Sequence, residues 1–134
     1  MNRKKLISAV QSICQSKGYS FRALDAEAMP AQSPALPAAV MLHPKFESMT
    51  GRNHGRITYK MTLYLFERID KLSPEQRVES IVQMEENMLD IFTQLSDSKD
   101  VAQVDSLSIE HTVHSAIGRG ECGVKAVAQV EIIF

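Results

Sequence analysis

The residues of this 134-residue chain best suited to chemistry are four histidines, His43, His54, His111 and His114, and two cysteines, Cys14 and Cys122. Histidine serves as proton carrier or metal ligand and cysteine as nucleophile or metal ligand, but each use needs partners at a defined spacing. A separation of three places His111 and His114 on opposite faces of a strand. His111 shares the face of Ile109 and Val113, which predicts a core or interface histidine. His43 and His54 lie in and near a long hairpin with no cysteine or carboxylate cluster beside them. Cys14 falls in a helix and Cys122 at a strand start, without the paired spacing of a zinc or redox motif. Two buried free thiols are expected, not a disulfide. No serine sits in a nucleophile-elbow setting. The expectation is a chain that is not an enzyme and carries no cofactor or metal.

The stretch GRNHG, Gly51 to Gly55, has the look of an anion-gripping loop. Such a loop aims successive backbone N–H groups at a phosphate and usually opens a helix, whose N-terminus adds positive potential. Here the glycines lead into the alternating run RITYKMTLYLFERI, and neither the phosphate-loop lysine nor the dinucleotide glycine spacing is present. The reading is a hairpin tip with Lys45, Arg52 and Arg56 in solvent.

The elements that must carry these residues fit one α+β domain spanning 1–134, since the length supports one ordinary core and not two. The basic opening MNRKKLISAVQSIC is interrupted by Ser8, Gln11 and Ser12, a poor signal-peptide core, and no stretch reaches membrane-spanning length. That reads as soluble and intracellular. Leu6, Ile7, Val10, Ile13 and Cys14 predict a helix from about Asn2 to Lys17, with Gly18 as its stop. Tyr19 to Ala23 alternates as a short strand. Residues 26–38, with Pro30, Pro34 and Pro37 among alanines, read as a semi-extended arm.

Ala39 to His43 and Arg56 to Glu67 predict two strands, the second with Ile57, Tyr59, Met61, Leu63 and Leu65 on one face. Residues 44–56 between them read as a long hairpin loop, mobile in a free subunit and ordered at an interface. Ser73-Pro74-Glu75-Gln76 predicts a capped helix start, with proline at the first position and Gln76 completing a capping box. The helix runs to about Leu95, its apolar face comprising Val78, Ile81, Met84, Met88, Leu89, Phe92 and Leu95. After the turn SDSKD, alternation from Leu107 to Val113 and from Cys122 to Phe134 predicts a closing hairpin joined through IGRGE. The predicted order is α-β-β-β-α-β-β, a mainly antiparallel sheet against two helices.

Charge is distributed by sequence half. Residues 1–71 carry eleven Lys/Arg against five Asp/Glu, and residues 72–134 four against eleven, although the net charge is only -1. On the second helix, Glu75, Glu79, Glu86, Asp90 and Asp97 fall within an arc of about 60° away from the apolar face. A solvated helix face accounts for this ridge. So does a contact with the basic hairpin of a neighbouring copy, because complementary patches steer association and fix register. Lys45, Arg52, Arg56, Glu75, Glu79, Glu86 and Asp90 are the interface candidates.

The helix LISAVQSIC, the hairpin from PAAVMLH to RITYKMTLYLFERI, the capped helix SPEQRVESIVQMEENMLDIF and the closing pair SIEHTVHS to VKAVAQVEIIF together resemble the tail-terminator and tail-completion proteins of long-tailed bacteriophages and prophages. The resemblance covers nearly the whole chain as a pattern of elements. It implies a homo-oligomeric ring, commonly a hexamer, that caps the tail tube and joins it to the neck or connector, with DNA passing through and no membrane partner. It also implies a cytoplasmic protein during assembly and a virion protein afterwards. No catalytic residues carry over. The alternative reading is a small binding module for nucleic acid or a small ligand, using the sheet face or Lys45, Arg52, Arg56 and Arg119. Against it, the strands offer no exposed aromatic ladder of the kind single-strand binders use.

Overall fold

The computed structural model describes residues 2–24, 37–51, 55–68, 72–112 and 121–134; of Thr112, Glu121 and Cys122 it describes the backbone alone. Helix α1, Asn2–Ser16, forms where Leu6, Val10 and Cys14 recur every fourth residue and are buried along one stripe. It ends as its sequence predicts. Gly18 adopts φ +90°, the Gly18 N–H donates to the Gln15 carbonyl at 3.0 Å, and the Tyr19 N–H reaches the Cys14 carbonyl at 3.2 Å. This pair of bonds is a Schellman ending, which needs a residue at ease with positive φ, and it buries Tyr19 beside Cys14.

Strand β1, Ser20–Leu24, pairs parallel with β2, Ala38–Leu42, in the register Ser20 opposite Ala38. The predicted arm at 26–38 lies outside the described residues except for Pro37, which is exposed, and Ala38, which opens β2. Strand β3, Lys45–Thr50, and β4, Arg56–Arg68, form an antiparallel hairpin. This corrects the reading of 44–56 as a loop: six of those residues are a strand, and the connection narrows to 51–55. The alternation is hidden in sequence because the register shifts between Phe46 and Ser48. A Cβ at Gly55 would collide with the Thr50 carbonyl and the Phe134 ring, so the hairpin closes only with glycine there.

Helix α2, Pro74–Ser96, starts at Ser73 with both halves of the capping box formed. The Gln76 N–H donates to Ser73 Oγ at 3.2 Å, and the Ser73 N–H to Gln76 Oε1 at 3.0 Å. Strand β5, Val101–Thr112, follows after a short turn, and β6, Glu121–Ile133, ends the chain. β5 begins six residues before the alternation at Leu107 is legible. Its register shifts between Val101 and Gln103 and again between Asp105 and Ser108, and Ser106 sits at φ 55°. Those shifts let Val104 and Leu107, three apart, join Val101 and Ile109 against the core.

The observed order is therefore α-β-β-β-β-α-β-β, a single α+β domain whose six-stranded sheet runs β1-β2-β4-β6-β5, with β3 also on β4. β2 and β3 share one edge of β4, the first along Leu63 to Phe66 and the second along Arg56 to Lys60. α2 packs on β4, β5 and β6, while α1 packs on β1 and α2. The core between helices and sheet is built from Leu6, Val10, Met61, Leu63, Leu65, Met84, Met88, Ile91, Leu95, Val124, Val130 and Ile132, all at most 1% exposed. On the other face, Ala38, Val40 and Phe66 are also fully buried, with the Tyr64 and Phe66 rings stacked at 5.7 Å. No described helix is long and apolar enough to cross a membrane.

Candidate functional site: two surfaces at opposite ends of β4

The first surface is the hairpin end. All six residues of β3 are exposed. Its register shift sets Phe46 opposite Tyr59 and Met49 opposite Ile57, so both side chains stand on the helix-side face of the sheet. They remain 51% and 56% exposed because the helical layer does not reach across this end. Phe46 meets the Tyr59 ring edge-on at 6.3 Å, and the Arg3 guanidinium lies 5.8 Å from the centre of that ring. A cation over an aromatic face is favourable in itself and leaves positive potential beside the apolar pair. Lys4 follows Arg3, exposed in the first turn of α1, while Lys5 turns to the cleft beside Asp100.

The second surface is on α2. Val78, Val82 and Leu89 are 61%, 47% and 50% exposed. Val78 and Leu89 were expected on the buried face; the structure corrects this. The helix is buried through Met84, Met88, Ile91, Phe92 and Leu95, while Val78, Val82 and Leu89 form a separate stripe spanning about 40° of arc. Exposed Glu75, Glu79 and Glu86 flank the stripe on one side. Glu85 lies on the other and holds His111. Ser80 Oγ donates to Glu67 Oε2 at 2.8 Å, which ties this part of α2 to the far end of β4. From Ile57 to Glu67 a strand covers about 33 Å. The two surfaces thus sit at opposite ends of the domain.

The remaining interface candidates separate. Lys45 is exposed and in register with Lys60, on the sheet face away from the helices and from Phe46. Arg56 shares that face, where its Nη1 donates to Glu131 Oε2 at 3.4 Å. Arg52 lies outside the described residues, as do His54, His114 and Arg119. Asp90 accepts from Lys17 Nζ and from Gln94 Nε2, and the Lys17 bond first of all holds its carboxyl below the usual carboxylate range. It binds α1 to α2 within one chain. Asp97 is the C-cap of α2.

His111 does face the helices but is not a core residue: its side chain is 46% exposed and bonded to Glu85. Cys14 is fully buried, and burial pushes its thiol up to about 12, only partly offset by Lys17. A thiol so protonated is a packing group, not a nucleophile. Burial likewise raises the Tyr19 hydroxyl, against the hydrogen bond it accepts from Asn87 at 2.9 Å. Among the described residues no group of three or more His, Cys, Asp and Glu could hold a metal ion. A cleft of about 240 Å³ opens between α1 and the α2–β5 turn, lined by Lys5, Leu6, Ala9, Lys99, Asp100 and Ile132 among others.

Sequence reasoning missed Arg3, Phe46, Met49 and the Val78–Val82 stripe as surface features. Phe46 and Met49 differ in parity, which alternation assigns to opposite faces. Val78 and Leu89 lie only about 40° and 60° of helical arc beyond the stripe of Met84, Met88, Ile91, Phe92 and Leu95, an offset too small to read from periodicity alone. Compared with known proteins, the chain matches no family model and no curated sequence.

Proposed function

We propose that this chain is a non-enzymatic structural subunit that assembles with copies of itself, as in the ring of a phage-like tail terminator that caps the tail tube and joins it to the head-side connector. The observation that carries this reading is the apolar surface at the hairpin end. The register shift and the charges of Lys45 and Glu47 blunt β3 as a pairing edge, but Phe46 and Met49 stand half exposed together on its helix-side face, an apolar patch of the kind that marks contact with another chain. The element order further supports the tail-terminator reading, through the same hairpin, capped helix and closing strand pair on which the resemblance rests. On this reading the protein is assembled in the cytoplasm and ends in the virion. The native mass of the purified protein, by light scattering across a concentration series, tests it. A ring gives a discrete multiple of the 15.0 kDa chain. A strict monomer at every concentration overturns it.

A further inference from the structure

We propose that the hairpin end of one copy docks on the α2 stripe of the next, with Phe46 and Met49 covering Val78 and Val82. The contact rests on the self-assembly reading and gives it a specific geometry. Each surface alone is an incomplete interface: two or three exposed apolar side chains with charge of one sign beside them. The hairpin end carries Arg3 and Lys4, while the helix carries Glu75, Glu79 and Glu86. Apposed, the apolar side chains leave water together, and the charges around them are opposite. Apposing like surfaces instead sets the cations of two α1 helices, or the carboxylates of two α2 helices, against each other. Charge therefore selects hairpin-to-helix contact over hairpin-to-hairpin contact.

Geometry excludes a contact within one chain. Met49 lies at the Ile57 end of β4, and Val78 lies two residues from Ser80, which is bonded to Glu67 at the other end. A rigid strand holds them apart, so no chain can satisfy its own surfaces. Two different patches that complement each other between copies define a heterologous contact, which propagates head to tail and closes into a ring where the rotation permits. The residues differ from the hairpin cations that charge patterning suggests, because Arg56 is engaged by Glu131 and Lys45 faces the other side of the sheet.

Two single-surface variants test the contact. Met49→Glu sets a carboxylate against the acidic helix, and Val78→Lys sets a cation against the basic hairpin end. Both positions are more than half exposed, so the unfolding midpoint should match that of the parent. At a concentration where the parent assembles, each variant alone should be monomeric. Mixed in equal amounts they should associate again, since each supplies the one surface the other retains and the two altered surfaces carry opposite charges. Arg3→Glu and Val82→Lys form a second pair with the same expected result, for use if a member of the first pair fails to fold. If the parent assembles and both variants assemble as it does, the contact is wrong while the self-assembly reading stands. A mixture that stays monomeric also overturns the hairpin-to-helix pairing. A monomeric parent overturns both.

Discussion

The two halves of β4 obey the same alternation and meet opposite fates. From Leu63 to Phe66 the strand is paired by β2 and β6, Leu63 and Leu65 lie under the helices, and Phe66 is buried on the other face. From Arg56 to Lys60 it is paired by β3 and β6, but Phe46 and Met49 beside it stay open. Alternation does not distinguish the halves: Ile57 and Tyr59 continue the inward set of Leu63 and Leu65, and Tyr59 itself is buried. What separates them is the reach of the helical layer. α2 lies across β4, β5 and β6, and α1 contributes little more than Arg3 over Tyr59 at the hairpin end. A strand longer than the helices that cover it leaves an apolar end, and that end is available for another chain.

The largest expected effect belongs to the covered half. Leu63→Ala, at a fully buried position, should cost about 2–5 kcal/mol of stability in urea denaturation. A loss under about 1 kcal/mol would mean that this half is no better packed than the hairpin, and the contrast would fail. Next comes Ser73→Ala, which removes the capping box that fixes where α2 begins. About 1 kcal/mol should be lost, and because Glu75 and Val78 of the proposed contact lie in the first turns of α2, assembly should weaken with it. Unchanged assembly would move the contact away from the start of α2.

A subtler effect concerns the tie between α1 and α2. The folded Asp90 carboxyl is depressed by Lys17, so its contribution is fully present above the unfolded carboxylate value of about 3.9 and is lost as pH falls through the folded value. Lys17→Met should therefore lower the melting temperature near neutrality and remove part of the fall seen on acidification below about pH 4. Parallel melting curves for parent and variant down to pH 2 would show that the tie adds nothing on this exposed flank. Smallest of all, Met49→Ala should change stability by no more than about 0.5 kcal/mol while weakening assembly. A loss comparable to that of Leu63→Ala would place the hairpin in the core and erase the difference between the two halves.

Much of this fold was legible because it depends on local rules. The Gly18 ending of α1, the Ser73 cap with Pro74 and Gln76, and the inward set Ile57 to Leu65 each follow from backbone freedom, hydrogen-bond reach or strand parity within a few residues. Where the prediction missed, local parity was interrupted. β3 and the first half of β5 contain register shifts, so Phe46 and Met49, and Val101 and Val104, stand three apart yet share a face. A reading by twos sees no strand there.

The candidate surfaces were legible only as charge. The sequence by itself determined two helices, a capped start, the core face of β4, and a basic first half against an acidic second half, because propensity and net charge are properties of the chain. Tertiary structure alone decided that Arg56 is engaged by Glu131 and that Asp90 is spent on Lys17. It also decided that Val78 and Val82 fall beyond the edge of the core and that Phe46 and Met49 emerge on the helix side, a whole strand length away. Those outcomes depend on which segments lie side by side and how far one layer extends over another. Neither is fixed by the residues at the site until the whole chain has folded around them.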